Sequence, residues 1–336
     1  MIPLLKGFHH TAEEVEQAIK EKKLLYLFLS YNDKCNMSCP GCFSSEGIET
    51  KKQLSLKSMC TVPLKPHELR RIISEAKELG VESISLWGEG EPLLDKELFF
   101  ELATYIRKEG MIPILYTNGT LIDKEAAERL FTEGISIVGK IESLNPEINE
   151  KLTGNGGLYE YTELGGASVP KYISLLLDAG FRGTNRLGLG TVLTPHNSSG
   201  IKDLWKWERK LSIIPYVQFL TYAGKGKNRP DMDLNLERRR KLSIELHKID
   251  QELGINYPLI FSHYLGPGVC CLPPRMVVGL YGNGRLCTCI YEFVGNVRKK
   301  TLKEIFEAKL EREQELRYEN KEPLYCDAYV FNKSIE

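Results

Sequence analysis

The stretch Cys35-Asn36-Met37-Ser38-Cys39-Pro40-Gly41-Cys42 places three thiols within eight residues, directly after the apolar run Leu24-Leu25-Tyr26-Leu27-Phe28-Leu29. Thiols crowded on a loop that leaves a strand converge on one point, as a metal ion or an iron–sulfur cluster requires. Structural cysteines are instead usually buried singly. A disulfide uses two of the three sulfurs and strands the third. A structural zinc takes four N or S ligands, and no histidine follows at finger-like spacing. A [4Fe–4S] cluster on three cysteines leaves one iron open to a small molecule.

The remaining cysteines carry the same theme. Nine are present, clustered at 35 to 42 and at 270 to 289, with single residues at Cys60 and Cys326. In a reducing compartment such clusters indicate metal or cluster ligation rather than disulfides. Lys and Arg together number 45, as do Asp and Glu, so the chain lacks the basic footprint of a nucleic-acid binder. An apolar fraction of 42% supports a large core. With no secretory h-region and no 18-residue apolar window, the expectation is a cytoplasmic protein with no membrane or nucleic-acid partner.

These thiols need a scaffold. β-forming runs alternate with segments of helical period, the pattern of βα units on a parallel sheet. Strands are expected near 24–31, 83–87, 113–116, 136–141, 187–193 and 216–222. Helices are expected over 66–79, 95–108, 124–132, 170–179 and 201–210. The fold class is therefore α/β, a partial (β/α)6 TIM-like barrel with its site at the carboxyl ends of the strands. A boundary is placed near residue 230, giving a barrel over 1–230 and a C-terminal region over 231–336. There a long polar helix (234–253) carries Arg238-Arg239-Arg240 as a solvated face, followed by a hairpin around Gly282-Asn283-Gly284.

The loop Cys35-x3-Cys39-x2-Cys42 after the first strand resembles that of radical S-adenosylmethionine (radical SAM) enzymes. So do Trp87-Gly88-Glu89-Gly90-Glu91-Pro92 at the end of the second strand and Tyr116-Thr117-Asn118-Gly119-Thr120 at the end of the third. The resemblance implies a [4Fe–4S] cluster on Cys35, Cys39 and Cys42 whose fourth iron binds the amino and carboxylate groups of S-adenosyl-L-methionine. It further implies cofactor contacts from Gly88, Gly90, Glu91, Pro92, Asn118, Ser143 and Thr191. Lys140 and Glu142 share one strand face by period-2 alternation, and the reading points them inward, Lys140 toward the cofactor carboxylate. The family usually has an aromatic residue before the third cysteine. This chain has Gly41, leaving Phe43 or Tyr31 for the adenine.

Cys271-x12-Gly284-x4-Cys289, followed by Cys326, resembles the SPASM and twitch extensions with auxiliary iron–sulfur clusters. The shorter twitch type fits better, with Cys271, Cys289, Cys326 and either Cys270 or Cys287 as ligands; a zinc knuckle is the alternative. The implied reaction is one-electron reductive cleavage of the cofactor to a 5′-deoxyadenosyl radical, then hydrogen abstraction from substrate, with a reductant such as flavodoxin or ferredoxin. Two-electron oxidation of a small polar metabolite, a sugar, aminocyclitol or nucleoside, is the leading outcome, because too few residues precede the first strand for a leader-binding domain. The alternatives are a redox-neutral epimerase, a peptide maturase, or a metal-stabilised binding protein without turnover. The glycines between 154 and 166 are either a lid or a linker.

Overall fold

The computed structural model describes residues 3–10, 12–32, 34–43, 64–87, 90–221, 224–257, 264–265, 277–280, 285–288 and 293–318. Cys60, Gly88, Cys270, Cys271, Cys289 and Cys326 lie outside the described residues, as do the turn at 282–284 and the side chain of Cys287.

After a first helix, α1 (Ala12–Glu21), the chain follows the expected alternation: β1 (Tyr26–Ser30), α2 (Pro66–Glu78), β2 (Ser83–Trp87), α3 (Lys96–Lys108), β3 (Ile112–Thr117), α4 (Lys124–Thr132) and β4 (Ser136–Lys140). Two elements that the sequence reading missed come next. They are α5 (Pro146–Thr153) and a hairpin of β5 (Tyr161–Leu164) and β6 (Ala167–Pro170). The series resumes with α6 (Lys171–Leu176), β7 (Leu187–Leu193), α7 (Ile201–Lys210) and β8 (Ile214–Phe219). The helix starts are locally encoded. Asp95, Asp123 and Asn145 each accept first-turn backbone N–H groups, and proline opens α2 and α5.

All strands from β1 to β8 in the main sheet pair in parallel, in the order β1-β2-β3-β4-β7-β8. Parallel strands are buried on both faces, and the alternation sorts two cores. Leu27, Leu29, Ile84, Leu86, Leu115 and Ile137 face the helices. Tyr26, Ile114, Val138, Ile214 and Tyr216 face inward and close on Leu5 and Phe8 of the N-terminal segment. The Phe8 ring lies 5.7 Å from that of Tyr26 on β1 and 5.0 Å from that of Tyr216 on β8, so the two tyrosines are within about 11 Å of each other. Five inter-strand spacings in a flat sheet would put them roughly 24 Å apart. The sheet is therefore curled around the N-terminal segment as a partial barrel.

The 3₁₀ turn Pro230–Met232 precedes α8 (Leu236–Glu252). This helix is fastened to α7 by buried Asp250, which accepts from Trp205 Nε1 (2.8 Å) and from both Arg209 Nε (2.8 Å) and an Arg209 terminal nitrogen (2.6 Å). Within the basic run, Arg239 is not solvated: it pairs with Asp233 and lies 4.7 Å from the centre of the Phe219 ring. The chain then adds β9 (Tyr264–Leu265) antiparallel to β8, and β10 (Val277–Leu280) parallel to β1 on its free edge. The hairpin of β10 with β11 (Arg285–Thr288) and β12 (Phe293–Asn296) extends the barrel sheet, and α9 (Leu302–Tyr318) packs on α2. Arg298 grips Glu68 through two bonds (2.7 and 2.9 Å), and Leu302 N donates to Glu75 at 2.7 Å. No helix among the described residues is long and apolar enough to cross a membrane.

Candidate functional site

The cysteine loop sits at the carboxyl end of β1 and is held from three directions. At the β2 end, Glu91 N donates to Lys34 O at 2.7 Å, while Asn32 Nδ2 and Tyr31 Oη donate to the carbonyls of Glu91 (3.1 Å) and Pro92 (2.7 Å). A Cβ on Gly90 would lie 1.9 Å from Lys34 O, so only glycine permits this approach. At the end of α5, Gly154 takes the left-handed conformation (φ 56°) that ends many helices, and its carbonyl accepts from Ser38 N at 3.1 Å. Beyond β8, Lys225 N donates to Cys42 O (2.8 Å) and its Nζ to Ser38 Oγ (2.8 Å), while a Cβ on Gly224 would lie 2.5 Å from Phe43 O. Gly154 and Gly224 thus anchor the loop; Gly154 ends α5 instead of opening a lid or a linker.

Cys35, Cys39 and Cys42 take part in no disulfide, Cys35 exposed and the other two half-buried. Burial pushes Cys39 up to about 11, offset in part by the Lys140 charge, and raises Cys35 as well. At neutral pH bare Cys35 and Cys39 therefore hold their protons, and iron binding displaces them. Among the described residues, no three His, Cys, Asp or Glu side chains close on a single-ion position. The donor set, three soft sulfurs on one clamped loop with a cation beside them, fits a thiolate-held cluster.

Lys140 lies on the inward face, as expected, and forms an ion pair with buried Glu142, which also accepts Val192 N at 2.8 Å. Burial alone lowers Lys140, but Glu142 above all, and the thiolate forms of Cys39 and Cys42, outweigh it, so the ammonium stays charged. Lys140 shares the half-exposed mouth of the barrel with Phe28, Trp87, Tyr116, Val192 and Gln218. Ser143, half-buried one residue past Glu142, accepts Asn145 N at 3.1 Å. Phe43 stacks on Trp87 with ring centres 5.1 Å apart and planes 14° apart. Tyr31 is buried and engaged with Pro92, which leaves Phe43 as the accessible ring. Gly41 lies under Met232 and Leu220, whose side-chain tips would stand 3.0 and 3.2 Å from a Cβ there, so any larger residue at that position has to push them aside.

Four expected cofactor contacts are placed differently. Thr191 is fully buried on the outward face of β7, and its hydroxyl bonds Ile141 O at 2.5 Å; period-2 alternation turns it away from Gly190 and Val192. Glu91 is buried and accepts from Asn118 N (2.7 Å), Thr117 Oγ1 (2.7 Å) and Leu93 N (3.1 Å). Burial raises it to about 7, against those hydrogen bonds. It braces the ends of β2 and β3, and Pro92, buried beside it, receives Tyr31. Asn118 is 8% exposed and faces the cysteine loop, with its polar atoms engaged within the chain.

Residues 29–195 match the family model described as the radical SAM superfamily. The chain is 30% identical over 238 residues to Fe-coproporphyrin III synthase of Methanosarcina barkeri, a match covering 67% of this chain and 51% of that protein. It is 32% identical over 146 residues to GTP 3′,8-cyclase of Syntrophomonas wolfei (43% and 42%). The chain thus spans about half the length of the curated relatives it matches. Among solved structures it resembles Streptococcus suis SuiB bound to the precursor peptide SuiA (TM-score 0.62, 18% identity, 88% of this chain and 67% of that one). It also resembles anSMEcpe with bound AdoMet (TM-score 0.59, 18% identity, 85% and 77%). At such identities the two structures speak for the fold alone. The family match spans the three thiols and two of the three clamps on their loop, those at Gly90 and Gly154, and residues 29–195 therefore form a radical SAM domain.

Proposed function

We propose that the chain is a radical SAM oxidoreductase, holding a [4Fe–4S] cluster on Cys35, Cys39 and Cys42 and abstracting hydrogen from a small organic substrate in the barrel mouth. The observation that carries this reading is the convergence of Gly90, Gly154 and Gly224 on the backbone of the cysteine loop. When bound, the cluster and S-adenosyl-L-methionine supply reductive cleavage of the cofactor to methionine and a 5′-deoxyadenosyl radical. The chain's part is to bind, orient and exclude. Lys140, oriented by Glu142, offers a cation to the cofactor carboxylate, Ser143 offers a hydroxyl, and Phe43 on Trp87 offers a ring to the adenine. The apolar floor keeps water away from the reacting atoms.

The half-exposed aromatic wall of Phe28, Trp87 and Tyr116 favours a flat ring over a bare sugar or aminocyclitol. A nucleoside suits it best of the small metabolites, and both curated relatives are named for ring compounds. Residues 231–336 are read as the unit that supplies an auxiliary cluster, with Cys271, Cys289, Cys326 and one of Cys270 and Cys287. A cluster held there would supply a sink for the second electron of a two-electron oxidation, and a flavodoxin or ferredoxin of the cytoplasm would supply the first.

Anaerobic reconstitution is expected to give about eight irons per chain, matching two [4Fe–4S] clusters; zinc alone would refute the radical reading. With dithionite and S-adenosyl-L-methionine the protein is expected to release 5′-deoxyadenosine. Changing Cys35, Cys39 and Cys42 together to Ala is expected to abolish that release. Continued release from the triple variant overturns the assignment.

A further inference from the structure

Asn118 carries information that the cofactor reading does not use. Its Oδ1 accepts from Thr120 N (2.9 Å) and from Thr120 Oγ1 (2.7 Å). A backbone N–H only donates, so this contact fixes which end of the amide is oxygen and turns Nδ2 toward the cysteine loop. There Nδ2 donates to Asn36 Oδ1 at 2.8 Å and to Cys35 Sγ at 3.9 Å. Asn36 Nδ2 in turn donates to Thr120 Oγ1 at 2.8 Å, closing a ring of three side chains. The backbone of Asn118 is held as firmly, its N–H by the Glu91 carboxylate at 2.7 Å and its carbonyl by Tyr159 Oη at 2.6 Å. A second donor, Met37 N, reaches the same sulfur at 3.5 Å.

We infer that Asn118 is a positioning residue whose side-chain amide donates to the Cys35 thiolate and sets the reduction potential of the cluster held there. This rests on the cluster reading above. The physical basis is charge. Reduction adds an electron to iron and sulfur, and a fixed N–H dipole aimed at a thiolate stabilises the more negative state, raising the potential. Because the amide is locked by Thr120 and Asn36 before any iron arrives, it needs no reorganisation when the electron enters.

The test uses the full chain, reconstituted anaerobically, with potentials measured by EPR-monitored redox titration in the absence of S-adenosyl-L-methionine. The signal titrated is the one whose shape changes on later addition of the cofactor. Asn118→Leu removes both donors without adding charge. Asn118→Asp keeps the acceptor for Thr120 while losing the donors. Both are expected to bind the same iron as the native chain. Asn118→Leu is expected to show about tenfold less reduced cluster at a fixed potential, equal to a midpoint roughly 59 mV more negative; Asn118→Asp is expected to move further in the same direction. Unchanged midpoints in iron-loaded variants overturn the inference, as they would if Asn118 met only the cofactor. Loss of iron from both variants also overturns it, since a tuning donor leaves assembly intact. Failure of the native chain to load iron would instead strike the cluster reading itself.

Discussion

The two ends of the barrel are built from the same strands and differ in what the inward positions carry. At the floor, Tyr26, Ile114, Val138, Ile214 and Tyr216 are buried against Leu5 and Phe8, and His9 is kept neutral, its pKa lowered to about 3 chiefly by burial. Further along the strands, the same face presents Trp87, Tyr116, Lys140, Val192 and Gln218, all half-exposed, beneath a polar loop that carries the thiols. The floor is held by contact area, which tolerates local give. The mouth is held by a few backbone approaches with no slack. Removing packing should therefore weaken the molecule as a whole, whereas adding a single methyl at the mouth should disable the site and spare the fold.

The sharpest way to break this contrast is Gly90→Ala. A Cβ 1.9 Å from Lys34 O cannot be accommodated without moving the cysteine loop. Iron bound by Cys35, Cys39 and Cys42 is expected to be lost, with 5′-deoxyadenosine formation down at least tenfold and the thermal midpoint changed by only a few degrees. Retained iron and activity would mean that the loop yields more easily than its clamps imply. The opposite result is expected at the floor. Phe8→Ala, at a side chain 3% exposed, is expected to cost about 3–5 kcal/mol and lower the thermal midpoint by roughly 6–15 °C, with iron content preserved at 25 °C. Calorimetry alongside iron analysis checks both halves.

A smaller effect is expected outside the barrel, where Arg298 fastens the C-terminal hairpin and α9 to α2. The Arg298 bond holds the Glu68 carboxyl down at about 2, below its ordinary 4.5. A lowered acid pKa gives stability that is present above pH 4.5 and is lost as pH falls from there through about 2. Since both side chains are partly exposed, Glu68→Gln is expected to cost only about 0.5–1 kcal/mol at pH 7 and nothing below pH 2. Urea titrations across that range read the difference, and an equal cost at both ends would show that the bond's charge contributes nothing.

Much of the scaffold was legible because its signals are local. The strands Ser83–Trp87 and Leu187–Leu193 and the helices Lys124–Thr132 and Ile201–Lys210 coincide with the stretches read from β-forming runs and helical period. The cysteine spacing and the inward direction of Lys140 were readable for the same reason: both depend on neighbours in sequence. The missed elements are instructive. The helix Pro146–Thr153 is a short two-turn stretch, and the hairpin around Gly165 and Gly166 has strands of four residues each, too brief for a period to show. Gly154 and Gly224 were visible as glycines, but nothing local links either to Ser38 or Phe43, which lie far away along the chain.

By itself, the sequence determined that three thiols leave the first strand together, that six βα units follow one another, and that charge and composition give no footprint for nucleic acid. Only the tertiary structure decided that Glu91 braces two turns, that Thr191 faces the helical layer, that Gly41 is covered by Met232 and that Asn118 aims its amide at Cys35. The reason is physical. Period and capping are set by residues within a turn or two, whereas a hydrogen bond or a close backbone approach between distant segments exists only after the sheet has curled and brought its strand ends together.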